Sequence, residues 1–227
     1  MSTAPALVAT GLTKTYDELV ALHPLDLTVE AGGSIALIGH NGSGKSTFLR
    51  MAAGLLDRSG GELEIAGFDL AEVEARATTS FLPDDPVLYD DLSLREHAEY
   101  VSRLHGGDGF DDYAFDLCER LGLGDRVDDL PSRFSRGLRQ KTSIVLALVR
   151  PFSLLLVDEP FVGLDQPGKL VLLELLEEVQ ADGAATVVAT HDPAYVDRVD
   201  RSIALRDGEV VFDGKASVDQ VLGLVGG

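Results

Sequence analysis

Between an apolar stretch ending at Ile38 and a helix-forming run beginning at Lys45 stands Gly39-His40-Asn41-Gly42-Ser43-Gly44-Lys45-Ser46-Thr47. A glycine, four residues and then Gly-Lys-Ser is the phosphate-loop pattern, which is meaningful only between a strand and a helix, and that context is present. Each residue type has a physical task. The glycines let backbone N–H groups curl around the β- and γ-phosphates of a nucleotide, and the following helix presents its positive end. Lys45 bridges phosphate oxygens, and Ser46 can place its hydroxyl on Mg²⁺. A chain built around this unit is expected to be α/β with a parallel core.

A second element agrees with the first. Leu154-Leu155-Leu156-Val157 is a continuous apolar run suited to a strand buried on both faces, and it ends in Asp158-Glu159. Carboxylates at the carboxyl end of such a strand lie where ligands gather in open α/β sheets. Asp158 is expected to hold Mg²⁺, and Glu159 to polarise an attacking water as general base. Thr186 to Ala189 repeats the apolar run, and Pro167 to Ala181 reads as an amphipathic helix between the two, so strand, helix and strand form a parallel crossover.

The remainder falls into two textures. Short strands at Leu7 to Thr10, Leu25 to Val29, Ser34 to Ile38 and Glu62 to Ile65 alternate with glycine turns, with a helix from about Lys45 to Ala53 stopped by Gly54. From Pro83 to Arg150 the pattern is helical. Ser93 and Glu96 have capping-box spacing for a helix ending near Gly106, a second helix runs from Asp112 to near Gly122, and a third from Ser135 to Arg150. Asp207-Gly208, between Ile203–Arg206 and Glu209–Phe212, is a hairpin signal, and Ser217 with Gln220 can cap a short last helix. Together these predict one domain over residues 1–227: a core and antiparallel β lobe at about 1–85 and 149–227, and a helical lobe at about 86–148.

Composition narrows the function classes. With 45% hydrophobic and 25% charged residues the chain has an ordinary globular make-up, while 38 acidic against 19 basic residues give a net charge of −19. Such a surface repels nucleic acid and anionic lipid headgroups. The single cysteine, Cys118, excludes an internal disulfide and a Cys/His zinc cluster. No secretory leader is expected from the first residues, and the longest apolar runs fall far short of the ~20 residues a bilayer crossing needs. If the protein acts at a membrane, another chain must supply the span.

Phe134-Ser135-Arg136-Gly137-Leu138-Arg139-Gln140-Lys141 opens the third helix with Ser135 as N-cap. With this stretch between the phosphate loop and Asp158-Glu159, the chain resembles, over nearly its full length, the nucleotide-binding subunit of ATP-binding cassette transporters. The family's signature is Leu-Ser-Gly-Gly-Gln; Ser135 and Gly137 match it, Arg136 replaces the first glycine and Leu138 the glutamine, a variant similar to those of exporter ATPases with separately encoded membrane subunits. The resemblance implies further roles. Tyr16, in Leu12-Thr13-Lys14-Thr15-Tyr16, matches the aromatic that stacks on adenine, and Asp165, in Gly163-Leu164-Asp165, belongs to the loop through which two subunits communicate. His191, after Thr190 and before Asp192-Pro193, matches the histidine that touches the γ-phosphate. Asp84, in Phe81-Leu82-Pro83-Asp84, stands where the family has a glutamine that contacts Mg²⁺ and water. An aspartate keeps an oxygen ligand but is shorter, negative and cannot donate.

What the resemblance implies as a whole is ATP hydrolysis, with Mg²⁺, at a site completed by a second nucleotide-binding subunit. It also implies transmembrane permease partners, a peripheral place at the cytoplasmic face of the cell membrane, and export. A competing class is a soluble ATPase of the same chemistry working on DNA or ribosomes. The absence of sustained heptads between Lys45 and Asp158, the presence of one cassette and the charge of −19 all disfavour it. Glu159 and His191 argue against a third reading, a catalytically silent nucleotide sensor.

Overall fold

The computed structural model describes residues 4–190, 192–199, 201–217, 219, 220 and 223. In chain order it contains β1 (Leu7–Tyr16), β2 (Leu19–Val29), β3 (Ser34–Ile38), α1 (Lys45–Ala52), β4 (Gly60–Ile65), β5 (Phe68–Asp69), α2 (Val73–Ala77) and β6 (Thr79–Leu82). There follow α3 (Leu94–Leu104), α4 (Asp112–Arg120), α5 (Arg136–Leu148), β7 (Leu154–Asp158), α6 (Gln166–Ala181), β8 (Ala185–Ala189), α7 (Pro193–Val196), β9 (Arg201–Arg206) and β10 (Glu209–Gly214).

The chain divides into two compact units, one made of residues up to Phe81, Phe152–Glu159 and Glu178 onward, the other of Leu82–Pro151 and Pro160–Glu177. In the first unit an antiparallel sheet has the order β2-β1-β4-β5, and a six-stranded sheet the order β10-β9-β3-β8-β7-β6. The expected crossover is present, because β7 and β8 pair in parallel from Leu154↔Ala185 to Asp158↔Ala189. β3 lies between β8 and β9, parallel to both. Every residue of β3, β7 and β8 is buried, as an apolar strand covered on both faces must be. Leu7, Leu12 and Leu63 of the antiparallel sheet, Phe48 and Met51 of α1, and Leu37, Leu156 and Val187 of the parallel strands form one core cluster.

β1 and β2 are longer than the sequence suggests, for two local reasons. Gly11, at φ +55°, does not end β1 but sits in a bulge between Ala9 and Leu12, where its N–H donates to Asp26 Oδ1 at 2.6 Å. Pro24 does not interrupt β2, because that strand is the edge of its sheet and the register shifts where Leu12↔Leu25 gives way to Lys14↔Leu22. The Asp207-Gly208 hairpin forms as expected, with both residues at positive φ, joining the antiparallel pair β9 and β10.

In the second unit the helix starts follow the capping signals. Ser93 and Glu96 form a reciprocal capping box on α3, Asp111 Oδ1 accepts from Ala114 N on α4, and Ser135 accepts from Leu138 N on α5. Each such cap is worth about 1 kcal/mol. Helix α5 contacts both α3 and α4.

Candidate functional site

Strand β3 delivers the chain into the loop 39–44, and α1 leaves it at Lys45. Gly39 has φ +155° and Gly44 +105°. A Cβ at Gly39 would run into the Leu205 carbonyl and the Ser43 side chain, and one at Gly44 would lie 2.9 Å from the Ala21 carbonyl oxygen. These positions therefore require glycine for space as well as for conformation. Helix α1 begins at Gly44 with no side-chain cap, so its first-turn N–H groups have no side-chain acceptor. The Ser43 hydroxyl, in a residue 1% exposed, also has no hydrogen-bond partner among the described residues. Donors without acceptors at a helix start suit an anion with several oxygens.

Two pairs join this loop to the end of β7. The Ser46 hydroxyl donates to Asp158 Oδ1 at 3.0 Å. Lys45 Nζ donates to the Gly39 carbonyl at 2.6 Å and the His40 carbonyl at 3.2 Å, and lies 3.4 Å from Glu159 Oε1. Both partners of that ion pair are largely buried, at 5% and 13% side-chain exposure. Glu159 adopts φ +43°, a strained setting for a residue with a Cβ, and its N–H donates to the Ala189 carbonyl at 2.9 Å. Thr190 N donates in turn to Leu37 O at 3.0 Å, so the ends of β3, β7 and β8 are locked together behind these carboxylates.

The donor set suits Mg²⁺. A hydroxyl and a carboxylate oxygen 3.0 Å apart are hard ligands, and no group of three or more His, Cys, Asp or Glu is present among the described residues. A cation here would complete its shell with phosphate oxygens and water, the usual habit of Mg²⁺.

One supporting contact had no signal in the sequence beyond the turn itself. Asp207-Gly208 packs behind the phosphate loop, with Gly208 N donating to Ser43 O at 3.1 Å and Gly208 O accepting from His23 N at 2.9 Å. His40 Nε2 lies 3.7 Å from Asp207 Oδ1, and its Nδ1 is 2.8 Å from the Asn41 carbonyl. The loop residues Asn41 and Gly42 lie between these anchored points. Tyr16 is half-exposed at the end of β1, with Lys14 Nζ over its ring at 4.9 Å, so it is not a core tyrosine.

The other anticipated residues belong to the second unit. Ser135 caps α5, and Gly137 packs so tightly that a Cβ there would lie 2.7 Å from the Gly163 carbonyl. Asp165 Oδ1 accepts from Gly168 N at the start of α6 and pairs with Lys141 at 2.9 Å, and that ammonium holds the Asp165 carboxyl below the usual carboxylate range. Asp84 and Arg136, the two departures from the family pattern in charge, meet each other: Arg136 Nη2 is 3.8 Å from Asp84 Oδ1. Nothing in their sequence spacing signals this contact. His191 lies outside the described residues.

Comparison with known proteins follows the same lines. Residues 22–162 match the family described as ABC transporter. The chain is 34% identical, over 91% of its length and 85% of the relative's, to the ABC-type transporter ATP-binding protein EcsA of Bacillus subtilis (strain 168). It is 35% identical over 93% of its length to the macrolide export ATP-binding/permease protein MacB of Rhodopseudomonas palustris (strain BisB18), of which it spans 34%. A solved ATP-binding subunit of an ABC transporter superposes with a TM-score of 0.87 at 31% identity, covering 96% of this chain and 98% of that one.

Proposed function

This chain belongs to the ABC transporter family, as its ATP-hydrolysing ATP-binding subunit, and from that premise we propose that it drives export through separately encoded permease chains. The observation that carries the chemistry is the double link between Lys45-Ser46 and Asp158-Glu159 at 3.4 and 3.0 Å. Phosphates entering the loop 39–47 would take over Lys45, because they offer it more negative charge than one carboxylate does. That exchange frees Glu159 to accept a proton from the attacking water, so nucleotide binding itself would arm the base. Ser46 and Asp158 would hold Mg²⁺, which when bound neutralises charge on the phosphates, with Asp84 as a further oxygen ligand. By the family match, Tyr16 would stack on adenine and His191 would meet the γ-phosphate.

Ser135, Gly137 and Asp165 serve the nucleotide of a second ATP-binding subunit, which makes the working unit a dimer. The 227 residues act as one domain in this reading. No helix among the described residues is long and apolar enough to cross a membrane. In this reading the chain takes a peripheral place on permease chains at the cytoplasmic face. Export is supported by the resemblance to MacB, whose name describes a macrolide exporter that carries its own permease.

The test is coexpression with a membrane-protein gene neighbouring this one. The chain should remain in washed membranes only when that partner is present, and Mg²⁺-dependent ATP hydrolysis should accompany it. Partner-independent solubility together with tight DNA or ribosome binding would overturn the transporter reading.

A further inference from the structure

The segment between β6 and α3 has little regular structure, yet a buried imidazole grips its far end. His97, in the first turns of α3, is 3% exposed. Its Nε2 accepts a hydrogen bond from the backbone N–H of Tyr89 at 2.9 Å, and its Nδ1 lies 2.8 Å from the Ser93 carbonyl oxygen. An amide N–H can bond only to a bare ring nitrogen, and a carbonyl only to a protonated one. The two partners therefore fix the ring as neutral, with its proton on Nδ1. Protonation of Nε2 would set N–H against N–H and break the hold on Tyr89.

The same segment touches the signature helix. The Tyr89 ring stacks on the imidazole, with centroids 5.8 Å apart, and meets Tyr100 edge-on at 6.3 Å. Arg139 of α5 reaches the Pro86 carbonyl at 3.4 Å, and Arg136 pairs with Asp84. The Tyr89 N–H bond to His97 is thus the anchor among these that depends on an imidazole proton. The charged groups on the elements packed around this helix start are Glu96 on α3, Asp90 and Asp91 after Tyr89, Arg139 on α5, and Asp128 and Asp129, paired with Arg95 and Arg126.

We propose that His97 is a positioning residue: with its proton on Nδ1 and Nε2 bare, it holds the Tyr89 end of the 84–89 loop, and a side chain that cannot accept from the Tyr89 N–H loosens that end and lowers ATP turnover. That this loop serves turnover rests on the reading of Asp84 above; the anchoring itself stands on the two hydrogen bonds alone.

Nitrogen-15 NMR of the histidines in the full chain should find His97 as the Nδ1–H tautomer at a pH of about 8, the opposite of the tautomer free imidazole favours. Hydrogen exchange should show Tyr89 N–H protection falling about tenfold in His97→Leu, the range expected for one lost hydrogen bond. His97→Gln keeps one acceptor and one donor. It should keep Tyr89 protected and lose less ATP turnover than His97→Leu does. An Nε2–H tautomer, or Tyr89 protection unchanged in His97→Leu, would overturn the anchoring. If protection falls in His97→Leu but its turnover matches that of the unaltered protein, the functional claim fails, and the ATPase assignment is judged separately by Glu159→Gln, which should lose turnover about 100-fold or more.

Discussion

Glu159→Gln replaces one carboxylate oxygen by an amide group and removes one charge, leaving size and backbone unchanged at φ +43°. If Glu159 takes the proton from water, the variant loses the 10²–10⁴-fold that a general base typically supplies. Turnover should fall about 100-fold or more, a barrier increase of at least about 2.7 kcal/mol. Stability should change far less. At 3.4 Å and an effective dielectric of ~20, the gross attraction between Lys45 and Glu159 is about 5 kcal/mol. Desolvation of two largely buried groups offsets most of that, and Lys45 keeps the Gly39 and His40 carbonyls. A net loss of about 1 kcal/mol, or ~2–4 °C in Tm, is expected for a chain of this size. ATP binding should persist or tighten, because Lys45 loses the internal carboxylate that competes with phosphate. Phosphate release at saturating Mg-ATP, equilibrium ATP binding and thermal melting together decide the matter. Turnover near the unaltered rate would refute the base assignment, and loss of ATP binding or a collapse in Tm would refute the reasoning that separates chemistry from structure.

Gly39→Ala should abolish ATP binding in an equilibrium assay, because its Cβ has no room beside Leu205 and Ser43 at φ +155°. Asp158→Ala should weaken Mg²⁺-dependent hydrolysis more than Asp84→Ala, since Asp158 is 1% exposed on β7 beside Ser46 and Asp84 is a half-exposed loop residue; titration of hydrolysis against Mg²⁺ checks it. Lys45→Ala and Ser135→Arg should each be inactive, yet mixing them with the permease should restore up to roughly a quarter of the activity, if half the dimers are mixed and one intact site fires alone. Asp213 is held below the usual carboxylate range by hydrogen bonds from Arg201 at 2.7 and 2.8 Å, so its contribution to stability is full above the ordinary aspartate pKa and lost as pH falls through the depressed one. Melting curves of Asp213→Asn should therefore depend less on pH in that acid window than those of the unaltered protein.

The parts of this molecule legible in one dimension are those decided by short-range hydrogen bonding. Gly39 to Thr47, the Ser93/Glu96 box, the Ser135 cap and the Asp207-Gly208 turn each place donor and acceptor within a few residues, so spacing alone specifies them. Apolar runs at Ser34–Ile38, Leu154–Asp158 and Ala185–Ala189 likewise announce strands covered on both faces. Family resemblance could nominate Asp84 and Asp165, but not their partners. That Asp84 meets Arg136, that Lys141 meets Asp165, that Gly208 braces Ser43 and that Tyr89 hangs on His97 were decided only in three dimensions. Even Gly11 and Pro24, which read locally as interruptions, sit within strands because a bulge and a free sheet edge absorb them. The physical reason is common to all of these. A contact within one turn costs little chain entropy and can be set by the residues that make it, whereas a contact between distant segments exists only after the core has brought them together. Until Leu37, Phe48, Leu156 and Val187 pack into one cluster, the phosphate loop and the carboxylates of β7 have no fixed distance between them.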